Sequence, residues 1–342
     1  GAIAVSVNTR FRSHELADIL HRSRSRVLVF WPGFKGIDFA GILGDCDPQA
    51  LEHLQSLVIY EEAGAPPPAA LLGKAAVPYS LLAGDAPLLE SSAAAGAGCA
   101  IFTTSGTTSA PKFVLHDQRT VIRHAFDVVK GFSLEADATL LLAPPLCGVF
   151  GFCSAMASLA AGRSMVMAPT WNAEQAARDI IAHRITHING TDEAAAQLLD
   201  IDGLSFSNIR FFGYAAFNPA QADIVLRADA RGLKLVGLYG ASEIQALFAR
   251  QDENAPVAQR TLGGGRPVSP AARVRARDPE SGAVLPHGGQ GELEFLAPSS
   301  RMAGYHGNLG ATRDAFTEDG FYRSGDLGHT LDDGRFVFLT RM

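Results

Sequence analysis

Phe102-Thr103-Thr104-Ser105-Gly106-Thr107-Thr108-Ser109-Ala110-Pro111-Lys112 is the stretch with the strongest chemical character in this chain. It places six hydroxyl side chains around one glycine, ends in a lone lysine, and follows the apolar run Ala100-Ile101-Phe102. Hydroxyls and backbone N–H groups on a loop, together with one ammonium group, can cradle a polyphosphate. An ordinary polar loop between two strands is the alternative interpretation.

The stretch is not a Walker A loop, because that motif ends in Gly-Lys-Ser/Thr and opens a helix. Here Lys112 follows a proline and precedes Phe113-Val114-Leu115, which we predict to be a second strand. A strand–loop–strand phosphate clamp is therefore expected.

Three further windows follow in order. They are Tyr239-Gly240-Ala241-Ser242-Glu243, Tyr322-Arg323-Ser324-Gly325-Asp326, and Gly334-Arg335 with Thr340-Arg341-Met342 at the end. The four windows together resemble the adenylate-forming (AMP-binding) superfamily, which includes acyl-CoA and aryl-CoA synthetases, peptide-synthetase adenylation domains and luciferases. The resemblance is closest to acyl-CoA synthetases and runs from Gly1 to Met342.

Strand-like and helical runs alternate from Ala138 to about Gln259, which predicts βαβ units and a mostly parallel sheet covered by helices on both faces. The predicted strands are Thr139–Leu142, Ser164–Ala168, Ile185–Ile188, Ile209–Phe212 and Leu233–Leu238. The predicted helices are Ala173–His183 and a segment that begins at Asn218-Pro219 and stops before Gly232.

Beyond Gln259, short segments separated by Gly and Pro predict a small antiparallel, β-barrel-like subdomain. Its strands are Ala272–Arg277, Glu292–Leu296 and Arg335–Leu339. The fold class is therefore α/β, with mostly parallel sheets sandwiched by helices in two subdomains and this β subdomain after them. We expect an α/β subdomain with the phosphate loop over 1–130, one with the acyl pocket and adenine site over 131–259, and the β subdomain over 260–342.

The resemblance implies a role for each window in binding ATP. The β- and γ-phosphate clamp would be formed by Thr104, Ser105, Gly106, Thr107, Thr108 and Lys112. The family usually has glycine where this chain has Ser109 and Phe113, which puts the mobility of the clamp in doubt.

The Tyr239 window would hold the other end of the nucleotide. Tyr239, followed by Gly240 and Ala241, would offer a face to adenine, and Ser242 a hydroxyl to the α-phosphate. Glu243 would bind Mg²⁺, which accepts one or two carboxylates alongside phosphate oxygens. The alternative for this window is a strand-end tyrosine with a glutamate that favours a helix dipole.

The resemblance gives roles to five more residues. Gly213, Tyr214 and Ala215 would form the adenine-side loop, although a plain strand-to-helix turn is the alternative. Asp326 would accept the ribose hydroxyls and Arg341 would reach the ribose or phosphates. A surface turn and a frayed chain end are the respective alternatives.

The acyl pocket is expected within Ala138–Gly162, which contains no charged residue. Its predicted lining is Cys147, Gly148, Val149, Phe150 and Gly151. Relatives commonly carry histidine or a bulky aromatic where this chain has Gly148, so the gate is open or is supplied by Phe150. An ammonium group buried without a carboxylate is very costly, so we expect an apolar acid, fatty or aryl, and not an amino acid. Pro144-Pro145 and the glycines argue against a membrane span in this segment.

Composition limits the partners and the location. The chain has 342 residues and a formal charge of −6, which argues against nucleic acid as a main partner. Four cysteines without metal spacing predict reduced thiols in a cytoplasmic protein. His183 and His187 fall in different predicted elements, which disfavours a metal site, and the absence of a G-x-S-x-G elbow disfavours a serine hydrolase.

The expected activity is formation of acyl-AMP from ATP and the acid, with Mg²⁺, followed by thioester formation with coenzyme A. Alternatives are transfer to a carrier-protein thiol, a luciferase-type reaction, or a divergent non-catalytic adenylate-binding protein. The resemblance is compatible with a homodimer. It also implies a small C-terminal domain beyond Met342 that carries the adenylation lysine, and further residues before Gly1. We therefore expect residues 1–342 to bind nucleotide but to turn over slowly.

Overall fold

The computed structural model describes residues 1–61, 69–87, 89–90, 93–104 and 111–342. The chain divides into two compact units, Gly1–Ala94 and Ala95–Met342. The predicted subdomain boundaries at 130 and 259 stay a prediction. All of the predicted site residues lie in the second unit, and Ser105, Gly106, Thr107, Thr108 and Ser109 fall outside the described residues.

The first unit is a small α/β layer. Its strands are β1 (Ala4–Val5), β2 (Val27–Phe30), β3 (Ser56–Ile59), β4 (Ala70–Leu71) and β5 (Lys74–Pro78). Its helices are α1 (Ser13–Ser23), α2 (Phe39–Gly44) and α3 (Tyr79–Ala83), with 3₁₀ turns at Phe34–Gly36 and Pro48–Leu51. Strands β2, β3 and β5 are parallel, and β4 pairs antiparallel with β5. Leu16 and Leu20 on one face of α1 pack with Leu57 in the core.

The second unit begins with the hairpin that carries the phosphate loop. Strands β6 (Gly98–Thr103) and β7 (Phe113–Asp117) are antiparallel, and β17 (Gly304–Tyr305) pairs with the other edge of β7. The two strands predicted on either side of the loop are therefore present, and residues 105–110 between them lie outside the described residues. Phe113 starts β7 and is buried at 1% exposure, so the aromatic ring at this position is accommodated by the core.

A large mixed sheet forms the rest of the second unit. Its parallel strands are β8 (Thr139–Leu142), β9 (Ser164–Met167), β10 (His187–Thr191), β11 (Phe211–Ala215) and β12 (Leu235–Ala241). Its antiparallel strands are β13 (Gln245–Arg250), β14 (Gly263–Pro267), β15 (Arg273–Arg277), β16 (Gly291–Leu296), β18 (Tyr322–Thr330) and β19 (Phe336–Arg341). The order is β15-β16-β18-β19-β14-β13-β12-β11-β10-β8-β9.

Helices cover both faces of the parallel strands, as the alternation of elements predicted. They are α4 (Gln118–Gly131), α5 (Val149–Ala161), α6 (Ala173–Ala182), α7 (Asp192–Leu199), α8 (Ile224–Ala230) and α9 (Val257–Arg260). Helix α10 (Leu309–Asp314) instead packs beside β7 and β17. Residues of α6, α7 and α8 share one core with Phe212, whereas residues of α4 and α5 share another with Phe211. Neighbouring residues of a strand point to opposite faces, so one strand serves both layers.

The predicted α/β class is confirmed. The antiparallel strands β13–β16, β18 and β19 continue the same sheet and, among the described residues, do not close a barrel. The helix predicted from Asn218 is interrupted. A 3₁₀ turn spans Pro219–Gln221, Asp223 leaves the helical region with φ −93° and ψ 4°, and α8 starts at Ile224.

A charged group is buried in the antiparallel part of the sheet. Glu294 on β16 is fully buried, and its carboxylate accepts hydrogen bonds from Arg275 and Arg277 on the adjacent β15, at 2.5 and 2.8 Å. Removing one partner from a buried ion pair strongly destabilises the fold, because the remaining charge stays buried without compensation.

We predict that Glu294→Gln lowers the free energy of unfolding by about 3 kcal/mol. Glu280→Gln, the same change at an exposed position, serves as the control and should alter it by less than about 0.5 kcal/mol. Urea denaturation at pH 7 measures both. Equal stability of the two variants would contradict the prediction.

Candidate active site

The described ends of the phosphate loop are held together by two hydrogen bonds. The backbone N–H of Thr104 donates to the carbonyl oxygen of Lys112 at 3.0 Å, and the N–H of Lys112 donates to the Thr104 hydroxyl at 3.3 Å. These two hydrogen bonds join Thr104 to Lys112 at the described end of the β6–β7 hairpin. The exposed side chain of Lys112 places Nζ 4.8 Å from the ring centroid of Tyr305.

Tyr305 connects this lysine to the predicted magnesium ligand. Its hydroxyl donates to Oε1 of Glu243 at 2.9 Å. Burial, followed by the nearby Glu243 charge, raises the pKa of Tyr305, and the same two causes raise the pKa of Tyr322 well above its ordinary value. Both phenols thus stay protonated, and Tyr305 acts as a neutral donor that stabilises the Glu243 carboxylate.

A buried histidine joins the hairpin to the Tyr239 window. His116 on β7 donates from Nε2 to the backbone carbonyl of Ser242 at 2.7 Å. His124 on α4 makes the same contact with the carbonyl of Ala246. Two side chains from one hairpin–helix segment therefore support the chain on either side of Glu243.

The turn that carries Ser242 and Glu243 has unusual backbone geometry. It is a 3₁₀ turn, Ser242–Ile244, between β12 and β13, and Gln245 follows it with φ 62° and ψ 153°. A non-glycine residue in this region is strained, and such strain is typical of functional sites. The Gln245 side chain is buried and donates to the carbonyl of Ser300 at 3.4 Å, which helps to hold this conformation.

The predicted adenine and ribose residues lie together. The Tyr239 hydroxyl donates to Oδ2 of Asp326 at 2.6 Å. The ring of Tyr239 is 8% exposed, stacks on Phe295 at 5.1 Å and lies 5.1 and 5.7 Å from the rings of Phe336 and Phe338, so most of it is covered by protein. Its role as the surface for adenine stays a prediction, and it requires the base to approach the remaining side of the ring.

Asp326 has an oxygen left for a ligand. Nε of Arg341 lies 3.2 Å from Oδ1, an ion-pair distance without hydrogen-bond alignment, and within the described structure Oδ1 has no hydrogen-bond partner. Burial raises the pKa of Asp326, although the hydrogen bond from Tyr239 opposes this. A buried carboxylate oxygen with free lone pairs fits the predicted contact with ribose hydroxyls.

The predicted adenine-side loop is fixed by a residue that the sequence analysis missed. Asp192, at the start of α7, is 2% exposed, and its Oδ2 accepts the backbone N–H groups of Phe217 and Asn218 at 2.8 and 2.7 Å. The loop after Gly213, Tyr214 and Ala215 is thereby tied to the neighbouring strand end. Gly213, Tyr214 and Ala215 themselves lie in strand β11, and the buried Tyr214 donates its hydroxyl to the carbonyl of Thr261.

The other missed residues have weak sequence signals. His116 occupies a buried position in an alternating strand, and a polar residue at such a position indicates an internal hydrogen bond. Tyr305 follows a glycine with nothing in its neighbourhood to indicate Glu243 as its partner. His183 is exposed at the end of α6, whereas His187 is buried and bonded to Phe132 and Thr186.

The predicted acyl segment consists of β8, a loop and α5. Gly148 is the N-cap of α5, and Cys147, Val149 and Phe150 are half-buried. Phe152 on this helix packs edge-on against Phe102 of β6 with ring centroids 5.1 Å apart. This contact attaches the predicted pocket helix to the strand that leads into the phosphate loop.

Gly148 and Gly151 differ in the space around them. A Cβ at Gly151 would lie 2.3 Å from the carbonyl oxygen of Pro145, whereas at Gly148 the same oxygen would be 3.6 Å away. Packing therefore requires glycine at 151 and permits a side chain at 148.

We predict that Gly151→Ala lowers the free energy of unfolding by about 2 kcal/mol or more through overpacking. Gly148→Ala is the matched control and should change stability by less than about 0.5 kcal/mol. Thermal and urea unfolding measure both changes, and a Gly151→Ala variant as stable as the parent would refute the packing argument.

Three buried histidines predict a pH dependence of stability. Burial lowers the pKa of His116, His124 and His187 to about 4 in the folded chain. Unfolded histidine titrates near 6.5, so the unfolded state binds more protons as pH falls from about 6.5 to 4. The contribution of these histidines to the free energy of unfolding is fully present above about pH 6.5 and is lost as the pH falls to about 4. For each histidine the loss is about 1.4 kcal/mol for every unit by which folding lowers its pKa.

The free energy of unfolding should therefore fall by several kcal/mol between pH 7 and 4.5. His124→Gln should flatten the slope, and the exposed His183→Gln should leave it unchanged. Urea denaturation across this pH range is the measurement. A slope that is the same in all three proteins would contradict the assignment.

Glu243 is the one carboxylate predicted here to bind a magnesium ion. Among the described residues no three His, Cys, Asp or Glu side chains gather into a metal site. Oε1 of Glu243 is engaged by Tyr305, so the remaining capacity of the carboxylate suits a hard cation that takes its other ligands from phosphate and water. The donor set therefore fits Mg²⁺ brought with a nucleotide. No helix in the described part of the chain is long and apolar enough to cross a membrane.

Comparison with known proteins identifies the family of the chain. The AMP-binding enzyme family matches residues 1–306. The chain is 31% identical to a sulfoacetate–CoA ligase of Cupriavidus necator and 26% identical to a long-chain-fatty-acid–CoA ligase of Thermus thermophilus. Each match covers 100% of this chain and 63% of the relative.

The fold agrees with that of ATP-bound MatB from Rhodopseudomonas palustris, with a TM-score of 0.79, 23% identity, and coverage of 99% of this chain and 63% of that protein. The chain thus spans less than two thirds of the length of these relatives. With the family match over most of its residues and the predicted motifs gathered in one unit, the chain belongs to the AMP-binding enzyme family.

Proposed function

We propose that this protein activates an apolar carboxylic acid with ATP and transfers the acyl group to coenzyme A. A carboxylate oxygen of the acid attacks the α-phosphorus, the bond to the β-phosphate oxygen breaks, and pyrophosphate leaves with the electron pair. The thiolate of coenzyme A then attacks the acyl carbon, and AMP leaves. The two relatives named above are CoA ligases, which supports this thiol acceptor.

The convergence of Lys112, Tyr305 and Glu243 is the observation that carries the proposal. The exposed ammonium group of Lys112 and the carboxylate of Glu243 both contact Tyr305, next to the predicted phosphate loop. Lys112 would hold the outer phosphates, and the Ser242 hydroxyl would face the α-phosphate. Mg²⁺ on Glu243 would neutralise phosphate charge that develops in the transition state.

The predicted substrate class rests on the pocket segment. Helix α5 carries no charged residue, and its Cys153, Ser154 and Ala157 are buried. An acid with a second charged group would lose its hydration there without a counterion. We therefore expect fatty or aryl acids to bind better than sulfoacetate or free amino acids.

Location and assembly follow as further parts of the proposal. The four cysteines are free thiols in the fold, and burial raises the pKa of Cys153 to about 12, which keeps it unreactive. Unpaired thiols suit a reducing compartment, so we infer a cytoplasmic protein. A homodimer stays a prediction for size-exclusion chromatography.

Binding of non-hydrolysable acyl-adenylate mimics tests the proposal. The panel contains short, medium and long fatty acyl, benzoyl, aminoacyl and sulfoacetyl sulfamoyl-adenosines, with AMP as the reference. A ligand at a hundredfold excess over its dissociation constant stabilises the fold by about 2.7 kcal/mol. Thermal shifts graded by acyl type are expected. The absence of a shift with every mimic and with AMP would refute adenylate binding by this chain.

Transfer chemistry needs a separate measurement on a chain of the relatives' full length. Pyrophosphate exchange with an apolar acid and formation of its CoA thioester are expected. Exchange without thioester formation would favour a carrier-protein acceptor, and mimic binding without any exchange would favour a non-catalytic role.

A substitution at Asp326 separates nucleotide binding from folding. Asp326→Asn keeps an oxygen for the Tyr239 hydroxyl and removes a carboxylate whose burial is unfavourable, so we predict equal or greater stability at pH 7. AMP affinity should fall at least about tenfold, because hydrogen bonds to a charged acceptor are lost. Asp332→Asn, an exposed site on the same hairpin, is the control. Unchanged AMP affinity, measured by calorimetry, would exclude Asp326 from the site.

A further inference from the structure

Asn189 is a buried polar residue to which the proposed mechanism gives no role. It lies on β10 and is 4% exposed, and its Nδ2 donates to the hydroxyl of Ser154 on α5 at 3.2 Å. Ser154 is itself only 1% exposed. Within the described residues, Oδ1 of Asn189 has no hydrogen-bond partner.

The orientation of the Asn189 amide is set by its neighbour. The Ser154 hydroxyl donates to the backbone carbonyl of Phe150 at 3.0 Å, so its oxygen can only accept from Asn189. The NH₂ group must therefore face Ser154, and the carbonyl oxygen must be the unpartnered atom. A buried acceptor left without a partner is unfavourable and is rare in native proteins.

The position of Asn189 relates this acceptor to the candidate active site. Asn189 pairs across the sheet with Gly213, the first residue of the predicted adenine-side loop. Through Ser154 it is bonded to Phe150, which belongs to the predicted acyl pocket. Ligands of open α/β sheets bind beyond the carboxyl ends of the strands, and Asn189 is two residues from the end of β10.

We propose that Oδ1 of Asn189 accepts a hydrogen bond from the acid bound in the pocket. The preferred acid then has an apolar body with one uncharged O–H or N–H donor, such as a hydroxyl or an amide. A neutral amide oxygen does not compensate a buried ammonium group, so amino acids stay excluded. This inference rests on the proposed function and narrows its substrate class.

The test compares mimics that differ by one donor. Dissociation constants are measured for benzoyl and for 2-, 3- and 4-hydroxybenzoyl sulfamoyl-adenosine, for hexanoyl and 6-hydroxyhexanoyl forms, and for AMP. At least one hydroxylated mimic should bind the wild-type chain about fivefold more tightly than its parent compound. The preference should vanish in Asn189→Leu, which has a similar volume and removes the unpartnered oxygen, and in Asn189→Ala.

Several outcomes would overturn the inference. One is that no hydroxylated mimic binds better than its parent, and another is that the preference persists in both variants. A third is that both variants weaken AMP and every mimic equally, because Asn189 would then serve the adenine amino group. Failure of AMP and of all mimics to bind the wild-type chain would defeat the proposed function, and the inference with it. Binding of AMP without a donor preference would defeat the inference alone.

Discussion

The reversal of strand direction at Ser242–Ile244 is the constraint on which the candidate site depends. The sheet is parallel from β9 to β12 and antiparallel from β13 onward, so the chain must turn back directly after Tyr239 and Gly240. The turn brings Glu243 within hydrogen-bond distance of the Tyr305 hydroxyl and leaves Gln245 in a strained backbone conformation. His116 and His124 bond the carbonyls on either side. The packing of a whole hairpin and helix thus maintains this short segment.

The buried carboxylates of the site have one feature in common, which is that uncharged groups donate hydrogen bonds to them. Glu243, Asp326 and Asp192 are buried, and each receives hydrogen bonds from neutral donors: a tyrosine hydroxyl for the first two and backbone N–H groups for the third. Neutral donors hold a carboxylate in place without cancelling its charge, so it can still attract a cation or accept a ribose hydroxyl. Asp326 in addition lies within ion-pair distance of Arg341, so the charge that is left for a ligand to balance is mainly that of Glu243.

Sequence patterns predicted the presence of strands more accurately than the residues at which the strands begin. The strand Thr139–Leu142 agrees with the structure, but Ile185, Ile209 and Leu233 were predicted as strand residues and precede β10, β11 and β12 by two positions. These side chains still belong to or pack against the core. Ile185 is fully buried while its N–H bonds to Ile180 at the end of α6. Hydrophobicity reports burial, whereas strand bounds depend on which backbone groups pair.

The sequence by itself determined the alternation of the parallel sheet and the family, and it predicted the chemical groups that would bind phosphate, ribose and magnesium. These follow from local order, because a motif and its flanking strand are neighbours in the chain. Only the tertiary structure decided that Tyr305 meets Glu243 across 62 positions and that His116 meets Ser242 across 126. It also decided that Oδ1 of Asn189 has no hydrogen-bond partner within the described part of the chain. Hydrogen bonds between residues this far apart depend on the packing of separate elements, and no local pattern encodes them.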